Sequence, residues 1–269
     1  MLDRPALQTV QPPLLALQGV CKTFPNGLLA LDGVTLTLPG EPQFLAVLGP
    51  SGCGKSTLLR ITANLDAPSE GSVDWPALDG AGEGRGGLNL GYVFQEPTLM
   101  PWASVFDNVR LPLRIRGLSG AAVSDRVMEM LARVGLQDFA RSYPRELSGG
   151  MRMRASVARA LVTEPRLLLM DEPFAALDEI TRGKIERDLL QLWLSTRLTI
   201  VFVTHSVFEA VFLASRVVVM TPRPGRIAAD LVIDAPYPRT EEHRMSAAYI
   251  AQCREVSEAL ARAMSEASS

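Results

Sequence analysis

The sequence predicts an α/β fold: a mostly parallel sheet with helices on its faces, an antiparallel β flap ahead of it and a helical sub-domain inserted into it. Three observations carry this. The apolar run Phe44-Leu45-Ala46-Val47-Leu48 ends in a glycine-rich turn that opens onto the helix-like Leu58-Leu59-Arg60-Ile61. Strand-like runs at Leu167 to Asp171, Thr199 to Val203 and Val217 to Met220 alternate with helical stretches Glu179 to Ser195 and Ser206 to Leu213, and such alternation requires crossovers and parallel pairing. From Glu96 to Glu164 strand character gives way to helical spacing.

Taken in order, Leu14 to Val20 and Gly33 to Leu38 read as strands joined through a turn at Pro25-Asn26-Gly27, which makes the flap. Gly71-Ser72-Val73 follows the loop helix, the glycine-dense 79–87 reads as a surface loop, and Leu88 to Phe94 as the next buried strand. Val123, Val127, Met130, Leu131 and Val134 lie at helical spacing, stopped by Gly135. Ser148 caps a further helix with Met151, Ala155, Ala158 and Val162 facing inward and Pro165 beyond its end. The tail from Thr240 offers Tyr249, Cys253, Val256, Leu260 and Met264 as the docking face of a helix. The whole reads as a single domain over 1–269: a core at 14–95 and 165–234 that includes the flap, a helical sub-domain at 96–164 and a helical tail at 235–269.

At 269 residues and 47% hydrophobic, the chain can bury a sizeable core. A net charge of −2 argues against a nucleic-acid-coating surface. Cys21, Cys53 and Cys253 form neither a disulfide framework nor a zinc pattern and read as reduced cytosolic thiols. The N-terminus lacks the apolar core of a signal peptide, and the longest apolar stretch is broken by His205, Glu209 and Arg216, so no membrane span is expected.

Gly49-Pro50-Ser51-Gly52-Cys53-Gly54-Lys55-Ser56-Thr57 matches G-x-x-x-x-G-K-S in the setting of strand, loop and helix. Glycines let successive N–H groups turn inward, and the helix dipole adds about half a positive charge at the same spot. That is a socket for a polyphosphate, with Lys55 reaching the outer phosphates and the Ser56 hydroxyl meeting the Mg²⁺ that travels with them. Lysine is used only at positions 22, 55 and 184 among 27 basic residues, so Lys55 is a specific choice. The helix start also predicts a thiolate at Cys53, open to alkylation and protected by nucleotide. Leu167-Leu168-Leu169-Met170-Asp171-Glu172 runs four apolar residues into two carboxylates. Such an ending is a common strand boundary, but beside a phosphate loop it assigns Asp171 to Mg²⁺ and Glu172 to the attacking water.

Leu147-Ser148-Gly149-Gly150-Met151 is a second glycine-containing helix start, equally suited to anions. Either it is simply a capped helix, or it serves a nucleotide held by another copy, in a head-to-tail pair with two ATP molecules at the shared interface. With these motifs in order, residues 14–234 resemble the nucleotide-binding subunit of ATP-binding cassette (ABC) transporters. The resemblance implies a P-loop NTPase core of the ABC type, with ATP and Mg²⁺ as ligands. It implies that Ser148, Gly149 and Gly150 complete the partner's site and that Gln95 links Mg²⁺ and the attacking water to the membrane subunits. By the same resemblance His205 contacts the γ-phosphate, Asp178 lies in the loop crossing the dimer interface, and Phe24 stacks on adenine, with a core role for Phe24 as the alternative. Met151 and Met153 stand where most relatives carry Gln, and Asn64 where the loop helix of most relatives ends in Gly.

The resemblance implies that the turn after Gln95, Glu96-Pro97-Thr98-Leu99-Met100-Pro101-Trp102, receives a membrane subunit's coupling helix, and an exposed apolar patch with a Trp anchor suits such a socket unless Trp102 is buried in the helical insert. With Met151, Phe174 to Arg182, Ser206 to Phe212 and Pro222-Arg223-Pro224-Gly225-Arg226, this resembles the nitrate, sulfonate and taurine importer branch, whose relatives also move thiamine-precursor pyrimidines. The expected assembly is a homodimer of these subunits, two integral-membrane permease subunits and an extracytoplasmic solute-binding protein, at the cytoplasmic face of the inner membrane and without nucleic acid. A soluble cassette ATPase and a P-loop kinase are the competing classes. The first would carry two cassettes or a long coiled-coil insertion, and the second has no use for Leu-Ser-Gly-Gly.

Overall fold

The computed structural model describes residues 12–76, 89–175, 177–196 and 198–266. The expected glycine-dense surface loop at 79–87 lies outside the described residues. In chain order come β1 (Leu15–Thr23), β2 (Leu29–Leu38), β3 (Phe44–Leu48), α1 (Lys55–Thr62), β4 (Glu70–Asp74), β5 (Leu90–Val93), α2 (Val105–Ile115), α3 (Ala121–Arg133) and α4 (Gly149–Leu161). They are followed by β6 (Leu167–Asp171), α5 (Glu179–Ser195), β7 (Thr199–Thr204), α6 (Val207–Leu213), β8 (Arg216–Met220), β9 (Ile227–Val232), α7 (Glu241–Arg244) and α8 (Ala247–Glu266).

The flap is a three-stranded antiparallel sheet in the order β2-β1-β4. The larger sheet runs β5-β6-β7-β3-β8-β9 and is parallel except for β9, which pairs antiparallel with β8. β3 and β7 are buried along their whole length, as strands covered on both faces must be. Side chains alternate across β3: Phe44, Ala46 and Leu48 join a core built with the helical insert, α5, α6 and α8, whereas Leu45 and Val47 join a second core under the flap and α1. The sheet thus separates two apolar layers, and its C-terminal edge carries the loops after β3, β5, β6 and β7.

Three details depart from the sequence expectations. β9 is an additional strand: Ile227, Ala229 and Leu231 are half-buried between exposed neighbours. On α8 the buried stripe continues through Ala259 and Ala263, while Met264 is 48% exposed, because a 3.6-residue period drifts away from a fixed four-residue step. Met151 is half-buried on α4, and the deeper contacts come from Met153, Ala155 and Ala158. Among the described residues no helix is long and apolar enough to cross a membrane.

Candidate active site

The loop after β3 wraps onto α1 through Gly54, whose φ of 104° is a left-handed conformation suited to glycine. A Cβ at Gly54 would stand 2.8 Å from Ala30 O, so β2 presses directly on the loop. No side chain caps α1, so its first-turn N–H groups face the loop opening. Lys55 is buried, with Nζ donating to Gly49 O at 2.9 Å and Pro50 O at 3.0 Å, inside the ring formed by the loop. Ser51, Gly52 and Ser56 lie exposed at the mouth, and Pro50 and Thr57 are half-buried.

The sheet order β6-β7-β3 brings three strand ends into one row. Ser56 Oγ donates to Asp171 Oδ1 at 2.8 Å, and Lys55 Nζ lies 3.7 Å from Glu172 Oε1. His205 Nδ1 is 3.4 Å from the other Glu172 oxygen, with the imidazole largely exposed. Burial raises the Asp171 carboxyl above its ordinary range against the opposing Ser56 hydrogen bond, and the adjacent Glu172 charge raises it further. Glu172 itself has φ 41°, a left-handed conformation for a non-glycine residue, held by a backbone N–H donated to Val203 O. Gln95 is exposed two residues beyond β5, whose Val93 is in register with Met170 just before Asp171.

Cys53 departs from expectation. It is 1% exposed, and burial raises its thiol above the ordinary value, outweighing the nearby Lys55 charge. The thiol packs under the loop, so burial disfavours the thiolate expected from the helix start and alkylation controlled by nucleotide is not expected. Phe24 is half-buried in the turn from β1 to β2, with Lys22 Nζ 5.5 Å from its ring centre.

Ser148 caps α4 by accepting from Met151 N–H, and Asp178 caps α5 by accepting from Thr181 N–H at 3.0 Å. Both are exposed. Gly150 has a packing reason to be glycine: a Cβ there would meet Thr181 Cγ2 at 2.5 Å. Gly149 has more room, with Leu177 at 3.8 Å. Two side chains escaped the sequence reading. Tyr92 on β5 is desolvated beside Asp171, and both influences raise its hydroxyl well above the ordinary value. Arg159 on α4 donates to Pro97 O and Thr98 O at 3.0 and 2.8 Å, fastening the turn after Gln95 to the helix that starts at Ser148. In the sequence Arg159 is one of three arginines of α4, with Arg152 and Arg154, and nothing local sets it apart from them.

A family model described as ABC transporter matches residues 31–175, more than half of the chain. The chain is an ATPase cassette of the ABC transporter family. The cassette is 47% identical over 205 residues to a taurine import ATP-binding protein of Rhizobium johnstonii, covering 76% of this chain and 77% of the relative. It is 45% identical over 240 residues to an aliphatic sulfonates import ATP-binding protein of Mesorhizobium japonicum, covering 88% and 85%. A dimeric ATP-binding cassette in a post-hydrolysis state with ADP and phosphate superposes with a TM-score of 0.69 at 33% identity, covering 82% of this chain and all of that one. Asn64 in this cassette has φ 55°, so an asparagine takes the left-handed turn that ends α1.

Proposed function

We propose that the cassette hydrolyses ATP to drive an importer of a small anionic solute of the nitrate, sulfonate or taurine type, working as a homodimer with a membrane permease. One observation carries the catalytic part: Lys55 and Ser56 of the phosphate loop reach Glu172 and Asp171 within a single cluster. The importer part draws on the taurine and sulfonate import relatives.

In this reading ATP lies along the loop, with adenine on Phe24 and phosphates on the N–H groups of residues 49–57. The triphosphate takes over Lys55 Nζ from the Gly49 and Pro50 carbonyls. Glu172 accepts a proton from water as the water oxygen bonds to the γ-phosphorus and the bond to the bridging oxygen of ADP breaks. His205, against Glu172, contacts the γ-phosphate. The hard oxygens of Ser56 and Asp171, with Gln95 beside them, fit Mg²⁺, which prefers carboxylate and hydroxyl donors together with substrate phosphates. When bound, the ion neutralises charge developing on the phosphates. Ser148, Gly149 and Gly150 of a second copy close the site, and Asp178 borders the joint. The dimeric relative is consistent with this arrangement.

Trp102, 77% exposed, and Ile115, 76% exposed, flank a groove of about 480 Å³ that also includes Met100 and Leu111. These exposed apolar side chains, with Asp107 and Arg114 also lining the groove, suit the coupling helix of a permease at the cytoplasmic membrane face. The test is hydrolysis by the chain in vesicles containing its own permease and binding protein. Taurine or an alkanesulfonate is expected to stimulate it and a sugar to leave it unchanged. Undiminished hydrolysis by the chain alone, with no response to any solute, would instead favour a cassette ATPase working without a permease.

A further inference from the structure

The loop from β8 to β9, Thr221-Pro222-Arg223-Pro224-Gly225-Arg226, has no part in the chemistry above, yet it is built against the phosphate loop. Gly225 N–H donates to Ala30 O at 2.9 Å, and Asp32 N–H donates to Gly225 O at 3.0 Å, so β2 holds it from one side. Thr221 Oγ1 donates to Pro224 O and accepts from Arg226 N–H, which fixes the turn internally. A Cβ at Gly225 would stand 2.2 Å from Cys53 O. From this platform Arg223 reaches across, and its Nε and Nη2 both donate to Gly52 O, at 3.0 and 2.8 Å.

We infer that Arg223 is a positioning residue for nucleotide binding, which holds the Gly52–Cys53 peptide with its carbonyl outward and its N–H toward the phosphates. In a trans peptide the C=O and N–H point in opposite directions, so anchoring one orients the other. The Cys53 N–H does turn into the loop, donating to Pro50 O at a long 3.4 Å, a bond that phosphate oxygens can readily replace. Gly52 has φ +75° and is exposed, so its own backbone offers little resistance to a peptide flip. A flipped peptide would aim a carbonyl oxygen at the triphosphate. Two charge-assisted donors from one guanidinium oppose that flip, and lysine reproduces them only in part.

This inference rests on the phosphate loop being the ATP site. The experiment compares the full-length wild type with Arg223→Ala, Arg223→Lys, Arg223→Gln and Arg226→Ala, following ATP turnover and the binding of a fluorescent ATP analogue. Arg226 belongs to the same loop but pairs with Asp32, so its variant reports on loop stability alone. Arg223→Ala is expected to raise KM and the analogue's Kd about tenfold, with kcat changed less than about twofold. Arg223→Lys should recover part of the loss, and Arg226→Ala should keep wild-type KM. Arg223→Gln, which keeps most of the side-chain bulk, should behave as Arg223→Ala and covers the case in which the alanine variant fails to fold. Unchanged KM in the alanine and glutamine variants, or an equal shift in Arg226→Ala, overturns the inference while leaving the ATP site intact. A wild type that binds no nucleotide overturns the site reading, and the inference with it.

Discussion

Glu172 shows how much a single residue is asked to do. A carboxylate at φ 41° costs on the order of 1 kcal/mol or more, and such strain persists only where surrounding contacts impose it. Here the strain directs one oxygen toward Lys55 and the other toward His205. If Glu172 takes the proton of the attacking water, Glu172→Gln keeps the shape and removes the base. Phosphate release should then fall by about 10²- to 10⁴-fold, with ATP binding retained and a nucleotide-bound dimer accumulating on size-exclusion chromatography. Near-normal turnover would remove the base assignment. Cys53 teaches the converse: a helix start favours a thiolate only when water can reach it, and desolvation wins at 1% exposure.

At the scale of elements, α1 ends in a capped turn that explains its unusual residue. Leu65 N–H donates to Arg60 O and Asn64 N–H to Ile61 O, the paired bonds of a Schellman motif with Asn64 in the left-handed position. Asparagine tolerates that conformation and alanine does not, so Asn64→Ala should lower stability by about 1 kcal/mol while Asn64→Gly stays close to wild type, as measured by denaturant unfolding. Equal stability of all three would contradict the account. Elements with a strong local signature were legible in the sequence: the glycine stop at Gly135, the cap Ser148, and strands such as Leu167–Asp171, apolar because both faces are covered. β9 was not, since Ile227, Ala229 and Leu231 alternate with Ala228, Asp230 and Val232, only one of them polar, and the segment needs β8 as a partner to become a strand. The reach of Arg159 and Arg223 was equally illegible, because each bonds a backbone carbonyl in a loop distant in sequence. The motif residues could be named, but the contacts that hold them depend on which strands become neighbours.

At the scale of the molecule, one chain gathers the phosphate loop, both carboxylates and His205 on one sheet edge, whereas Ser148 caps a helix of the inserted sub-domain. The proposed dimer resolves that separation by letting each copy finish the other's site. Two inactive variants test this directly: Lys55→Ala, which disables the phosphate loop, and Ser148→Arg, which disables the surface offered to the partner. A mixed dimer would contain one site carrying both defects and one carrying neither. The measurement is ATP hydrolysis after mixing the two purified variants. The account predicts that activity absent from either alone returns in the mixture, and a mixture as inactive as its components would contradict it.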